Sequence, residues 1–129
     1  MVGMLLSGTH LNEDRLDNSS IEQLIENSCP NNRQECIRGS KSLGTFMEAE
    51  GLGVAYPSMN NPKPGSNTFY RGGYTTSNYS KQINVIQTEL SFVVRNEFQP
   101  EIYVKKYVKS LMNFMRTNRL INNGNRFFA

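Results

Sequence analysis

Two neighbouring segments of the 129-residue chain carry side chains that could take part in catalysis. The first, FYRGGYTTSNYS at positions 69–80, joins a Gly-Gly pair to aromatic and hydroxyl side chains and predicts a tight, polar surface loop. The second, INVIQTEL at positions 83–90, predicts a buried strand with Glu89 near its C-terminal end. Ligand sites of open α/β sheets gather at that end of the strands. A carboxylate facing a metal-bound water is what amide hydrolysis requires, because the metal lowers the pKa of the water and the carboxylate moves the proton.

The same pattern has simpler interpretations. The pattern alone favours an ordinary solvated residue at a strand end for Glu89 and a plain turn for Gly72-Gly73. His10 is the only histidine, whereas zinc sites use three or four ligands, commonly with two histidines. We therefore expect His10 to be an exposed residue of a polar loop, and with one histidine no Ser/His/Asp or Cys/His nucleophile set is credible.

The two cysteines, Cys29 and Cys36, lie in SCPNNRQEC. Six intervening residues with a Pro-Asn-Asn turn favour a disulfide that closes a short loop, while two free thiols or a metal-binding pair stay open as alternatives. Asn18-Ser19-Ser20 and Asn78-Tyr79-Ser80 match the pattern of glycosylation acceptors. Together these features favour an oxidising compartment, and hence a secreted protein.

Composition and charge are those of one soluble globular domain. The net charge of +3 is spread along the chain, so no nucleic-acid partner is expected. No apolar run approaches the roughly 20 residues of a membrane span, so no membrane partner is expected either. The opening MVGMLLSG is too short for the core of a signal peptide.

Strands and helices alternate along the sequence. We predict a strand at 1–6, a polar loop at 9–17, a helix opened by Ser19 and Ser20 and ended by Pro30, a helix at 42–50 stopped by Gly51, a brief strand at 54–56, a long loop at 57–73, a strand at 83–90 and a helix at 101–119. Glu22 lies at the capping-box spacing from Ser19. The last helix has an apolar stripe of Val104, Val108, Leu111 and Met115. This order predicts an α/β fold with a mixed sheet flanked by helices, in one domain at 1–121 with a tail at 122–129.

Four motifs in order resemble the C-terminal half of the N-formylglutamate amidohydrolase-like family. These are an IRGxxSLG helix start (IRGSKSLG), a Pro-rich loop, a GGY loop and a strand ending IQxE (IQTE). The segment LLSGTHLNEDRLDNSSIEQL also resembles the part of the family that follows its second metal motif. The resemblance covers roughly residues 1–119 and implies part of a zinc-carboxypeptidase-like, or phosphorylase/hydrolase-like, fold.

The resemblance also implies roles for particular residues. Glu89 would match the general base, and Tyr74 of the GGY loop, with Gly72 and Gly73, would contact substrate. Arg38 matches the arginine of the IRG motif, with a structural or substrate-orienting role. The substrate would be a small N-acyl, for example N-formyl, amino acid, and the family's cofactor is zinc.

The chain departs from the family in two respects. The family's metal ligands lie upstream, in a His-Gly-His-like motif that is absent from this sequence, and no zinc is supported by this chain alone. Many members carry an arginine after GGY-x-T that suits a substrate carboxylate, where this chain has Ser77 and where Arg71 is a candidate replacement. We therefore expect either part of an amidohydrolase that is active only with its own N-terminal half, or a non-catalytic secreted binding or matrix component, or a subunit that pairs with another chain.

Overall fold

The computed structural model describes residues 1–96 and 100–121, and the predicted tail at 122–129 lies outside them. Two strands are present in the described ranges, β1 (Val2–Gly3) and β2 (Gln87–Thr88). The helices of the described ranges are α1 (Gly8–Asn12), α2 (Glu22–Ser28), α3 (Arg33–Arg38), α4 (Leu43–Ala49), α5 (Tyr74–Tyr79), α6 (Phe92–Asn96) and α7 (Pro100–Thr117).

The two strands pair in antiparallel register, with Val2 opposite Thr88 and Gly3 opposite Gln87. They lie inside the strands predicted at 1–6 and 83–90, but each observed strand has only two residues and is shorter than predicted. Irregular segments extend the layer. The N–H of Val2 donates to Tyr56 O at 2.8 Å, so the predicted strand at 54–56 lies beside β1 without being a strand.

Ser20 continues this layer by bridging the segment that follows β1 and the segment that precedes β2. Its N–H donates to Met4 O at 2.8 Å, and its carbonyl accepts from the N–H of Val85 at 2.9 Å. The Ser20 hydroxyl, fully buried, donates to Val85 O at 2.6 Å. The chain thus combines helices with a small sheet, which agrees with the α/β prediction only at the coarse level of mixed secondary structure.

The core packs α2, α3 and α4 against the sheet and α7. The predicted apolar face of the first long helix is confirmed, since Ile21, Leu24 and Ile25 are buried. The predicted face of α4 is confirmed as well, with Leu43 and Met47 buried and Phe46 packed on the core. Gly51, predicted to stop that helix, has φ +78°, a left-handed conformation that favours glycine.

The apolar stripe predicted for the last helix is partly wrong. Val104 and Val108 are 59 % and 43 % exposed, whereas Phe114 is buried. The core side of α7 is formed by Tyr103, Tyr107, Leu111, Phe114 and Met115, with Ser110 buried among them. The stripe is rotated because two tyrosines belong to it, and the hydroxyl of Tyr107 hydrogen-bonds that of Thr88 at 2.8 Å.

Four short helices, α1, α3, α5 and α6, were not expected from periodicity. Helix α1 replaces part of the predicted loop at 9–17. It is stabilised at its start by a capping box, in which the side chains of Ser7 and His10 each accept a hydrogen bond from the backbone N–H of the other. The capping box predicted at Ser19 is only half formed. Glu22 accepts from the Ser19 N–H at 2.8 Å, but α2 begins at Glu22 itself. Segments of five or six residues are too short for a helical period to be read.

Cys29 and Cys36 form a disulfide, with their Cα atoms 6.1 Å apart. This confirms the favoured alternative for the two cysteines. The bond ties the end of α2 to α3. Asn118 holds the end of α7 to the same region, since Ser28 Oγ donates to its carbonyl and its amide donates to Lys41 O, both at 2.9 Å.

Candidate functional site

The GGY segment lies directly on β1. The N–H of Leu5 donates to Arg71 O at 2.7 Å. A Cβ added to Gly3 would lie 2.7 Å from Gly72 N, so the strand must have no side chain there for the loop to approach. Gly72 itself has φ +118° and would place a Cβ 2.3 Å from Thr76 Oγ1, so it must also be glycine.

Gln87 connects this loop to Glu89. Its Oε1 accepts from the Gly73 N–H at 2.8 Å, and its Nε2 donates to Glu89 Oε1, also at 2.8 Å. The structure therefore brings together the two segments that the sequence singled out, through a side chain that sequence reasoning missed. Its signal was available: Gln87 and Glu89 are two residues apart on a strand and so share a face.

Glu89 is exposed and lies at the wall of a cleft of about 570 Å³. The backbone of Glu89 is fixed by its N–H, which donates to Met1 O at 2.8 Å. The cleft is lined mainly by apolar side chains from α4, the segment after it, and the region around α6, including Met47, Leu52, Val54, Leu90 and Val94. The exposed Arg95 of α6 adds a second charged side chain to this lining.

Glu89 and Arg95 give this cleft a carboxylate acceptor and a cationic side chain beside an apolar wall. Small-molecule sites commonly have this composition, with apolar lining and a few polar groups that orient the ligand. Arg95 was not singled out from the sequence, because it lies in a five-residue helix that periodicity does not reveal.

The other predicted site residues lie elsewhere. Tyr74 is the first residue of α5 rather than part of a loop, and it is 79 % exposed. Arg71 is exposed and lines a second cleft, together with Ser77. Their substrate-binding roles stay predictions.

Arg38 is buried, and its guanidinium is held within the chain. It donates to Leu11 O at 2.9 Å, to Asp14 Oδ1 at 2.5 Å and to Gln34 Oε1 at 3.2 Å. Hydrogen bonds from Lys63 and Arg38 hold the pKa of Asp14 below its usual value. These bonds join the α1 region to α3. They therefore favour a structural role for Arg38 over a substrate-orienting one.

A zinc ion does not fit the side chains seen here. Within residues 1–96 and 100–121, no three His, Cys, Asp or Glu side chains converge as a ligand set. Zinc sites need at least three protein ligands, so we derive no step through zinc from these residues. In the same ranges no helix is long and apolar enough to cross a membrane.

No family model, curated protein or solved structure matches this chain.

Proposed function

We propose that the Glu89 cleft binds a small N-acyl amino acid, and that the chain is a part or a relative of a zinc-dependent amidohydrolase with a zinc-carboxypeptidase-like fold. The observation that carries the proposal is the hydrogen-bonded line from Gly73 through Gln87 to Glu89. It joins the GGY and IQTE motifs of the resemblance and places a carboxylate at the wall of an apolar cleft.

Three parts of an N-acyl amino acid have a counterpart in the cleft. The acyl group packs on the apolar wall formed by Leu52, Val54 and Leu90. The amide N–H donates to Glu89, whose carboxylate Gln87 orients. The α-carboxylate pairs with Arg95, as guanidinium groups pair well with carboxylates.

Binding is the part of amidohydrolase chemistry that these residues support. Hydrolysis would need metal ligands from outside the described part of this chain, such as an N-terminal half or another chain. The alternative is a non-catalytic binding component or assembly subunit, and it is supported by Ser77 at the position of the family's arginine and by the lack of a converging ligand set within residues 1–96 and 100–121. Turnover of N-formylglutamate by this chain with zinc supplied would contradict that alternative.

Calorimetric titration with N-formylglutamate tests the proposal. We expect saturable binding, weakened about 10-fold or more by Arg95→Gln, because a charge-assisted hydrogen bond is lost. Arg116→Gln is the matched control, since Arg116 is an exposed helical arginine that does not line the cleft. Absence of binding, or equal loss in both variants, would reject the proposal.

A further inference from the structure

A second cleft, of about 420 Å³, lies where the chain after β1 meets α1 and the end of α5. Its lining is more polar and more basic than that of the Glu89 cleft. Arg71, Lys81 and His10 contribute nitrogen donors, and Ser77 and Ser80 contribute hydroxyls. Asp17 is the one carboxylate of this lining, and it is drawn toward Arg33, whose Nη1 lies 3.4 Å from Asp17 Oδ1.

His10 lines this cleft, and its Nδ1 is held by Ser7. The N–H of Ser7 donates to His10 Nδ1 at 3.2 Å, and the Ser7 hydroxyl lies 3.1 Å from the same atom. Because Nδ1 accepts a hydrogen bond, the proton of the neutral ring belongs on Nε2. Nε2 is therefore left to donate to a ligand.

The wall of the cleft is held in a costly conformation. Leu5 and Asn18 both line it, and both have positive φ, +65° and +60°. A leucine in this left-handed conformation is unusual, because its Cβ crowds the backbone. A hydrogen bond from the Leu5 N–H to Arg71 O, at 2.7 Å, holds the leucine there. Such strain clusters at ligand sites.

We propose that this cleft binds a phosphate dianion, either free or carried by a small molecule. Two cationic side chains, an imidazole N–H and two hydroxyls offer more donors than the two oxygens of a carboxylate accept. A phosphate group has the charge and the number of acceptor oxygens to match them. The site is separate from the Glu89 cleft and goes beyond the proposed function.

The test follows backbone amide shifts of the ¹⁵N-labelled protein while inorganic phosphate, glycerol phosphate or acetate is added. We expect phosphate to shift the amides of Leu5, Leu6 and Asn18, acetate to leave them unchanged, and Arg71→Gln and Lys81→Gln each to weaken phosphate binding about 10-fold. Lys105→Gln, an exposed lysine of α7 outside this cleft, is the control.

Tighter binding of glycerol phosphate than of inorganic phosphate would identify a phosphorylated molecule as the ligand, and equal binding would identify free phosphate. Shifts that acetate reproduces would overturn the proposal, as would an unchanged affinity of both variants. Displacement of phosphate from these amides by N-formylglutamate would also overturn it, by making this cleft the amino acid site. Failure of N-formylglutamate to bind anywhere would contradict only the proposed function.

Discussion

At the scale of single residues, Gln87 has the largest consequence for the candidate site, because its amide is hydrogen-bonded to both motifs. Gln87→Met keeps the size of the side chain and removes both hydrogen bonds. We expect a loss of about 1–2 kcal/mol in the free energy of unfolding and weaker N-formylglutamate binding, measured by urea unfolding and calorimetry. Gln82→Met, at an exposed position outside the site, is the control. Unchanged binding in Gln87→Met would mean that this link does not position Glu89.

Glu48 is a second residue with a measurable role. Its carboxylate accepts hydrogen bonds from the N–H of Ala55 at 2.9 Å and from the amides of Asn60 at 3.0 Å and Asn61 at 2.5 Å. Burial acts to raise the pKa of Glu48, but hydrogen bonds from Ala55, Asn61, Ser58 and Asn60 outweigh it and hold the pKa below its usual value.

A depressed pKa in the folded state makes a stabilising contribution that is present above the unfolded pKa, about 4.3, and is lost as the pH falls through the folded value. We expect Glu48→Gln to lower the free energy of unfolding by about 1–3 kcal/mol at pH 7. The difference from the wild type should shrink below the unfolded pKa. Urea unfolding at neutral and acidic pH measures this difference in the free energy of unfolding. A difference that does not change with pH would contradict the role of Glu48.

Residue types alone could predict some of these positions and not others. The glycines of the GGY motif and the carboxylate of Glu89 were identified because their chemistry is local. Arg95 and the bridging role of Gln87 depend on which segments meet in space, and the chain order does not state this. Arg38 was identified by motif, but its partners Leu11 and Asp14 lie 24 or more residues away in sequence.

At the scale of elements, α7 allows a matched test of the corrected core face. Phe114→Ala removes a buried ring and should lower the free energy of unfolding by about 3–5 kcal/mol. Val104→Ala, at an exposed position of the same helix, should change it by no more than about 0.5 kcal/mol. Urea unfolding of both variants decides between the two faces, and a larger effect of Val104→Ala would restore the stripe predicted from the sequence.

The disulfide makes a separate contribution by joining α2 and α3. By loop-closure entropy, a loop of this length contributes about 2.5 kcal/mol to stability. The double variant Cys29→Ser, Cys36→Ser should lose about that amount in urea unfolding. Adding a reducing agent should lower the free energy of unfolding of the wild type by a similar amount and leave that of the variant unchanged. Equal stability with and without the bond would contradict the expected role.

The helices of seven or more residues, α2, α4 and α7, were predictable from the sequence, and the shorter ones were not. The faces of α2 and α4 follow the apolar period, and α4 is also capped by Ser42, whose hydroxyl accepts from Thr45 N. In α7 the length was predicted well, but the stripe rotated because tyrosines combine an apolar ring with a hydroxyl that needs a partner. The helices of five or six residues arise from caps and tertiary contacts.

At the scale of the whole molecule, alternating strand and helix signals predicted a mixed α and β chain, but they overestimated the sheet. Much of the pairing around β1 and β2 comes from Tyr56, Ser20 and Val85, which are in no regular strand. Hydrogen bonds of this kind satisfy buried backbone groups without producing an alternating pattern. The resemblance to amidohydrolases adds a hypothesis about ancestry, and binding measurements can test its consequence.

We propose above that an N-acyl amino acid occupies the Glu89 cleft. The most direct measurement is a ¹⁵N–¹H amide titration of the chain with N-formylglutamate. We predict saturable shifts confined to the cleft, at residues 52–56 and 89–95, that Arg95→Gln abolishes and Arg116→Gln leaves intact. Shifts centred on Arg71 and Ser77, or no saturable shifts at all, would contradict the claim.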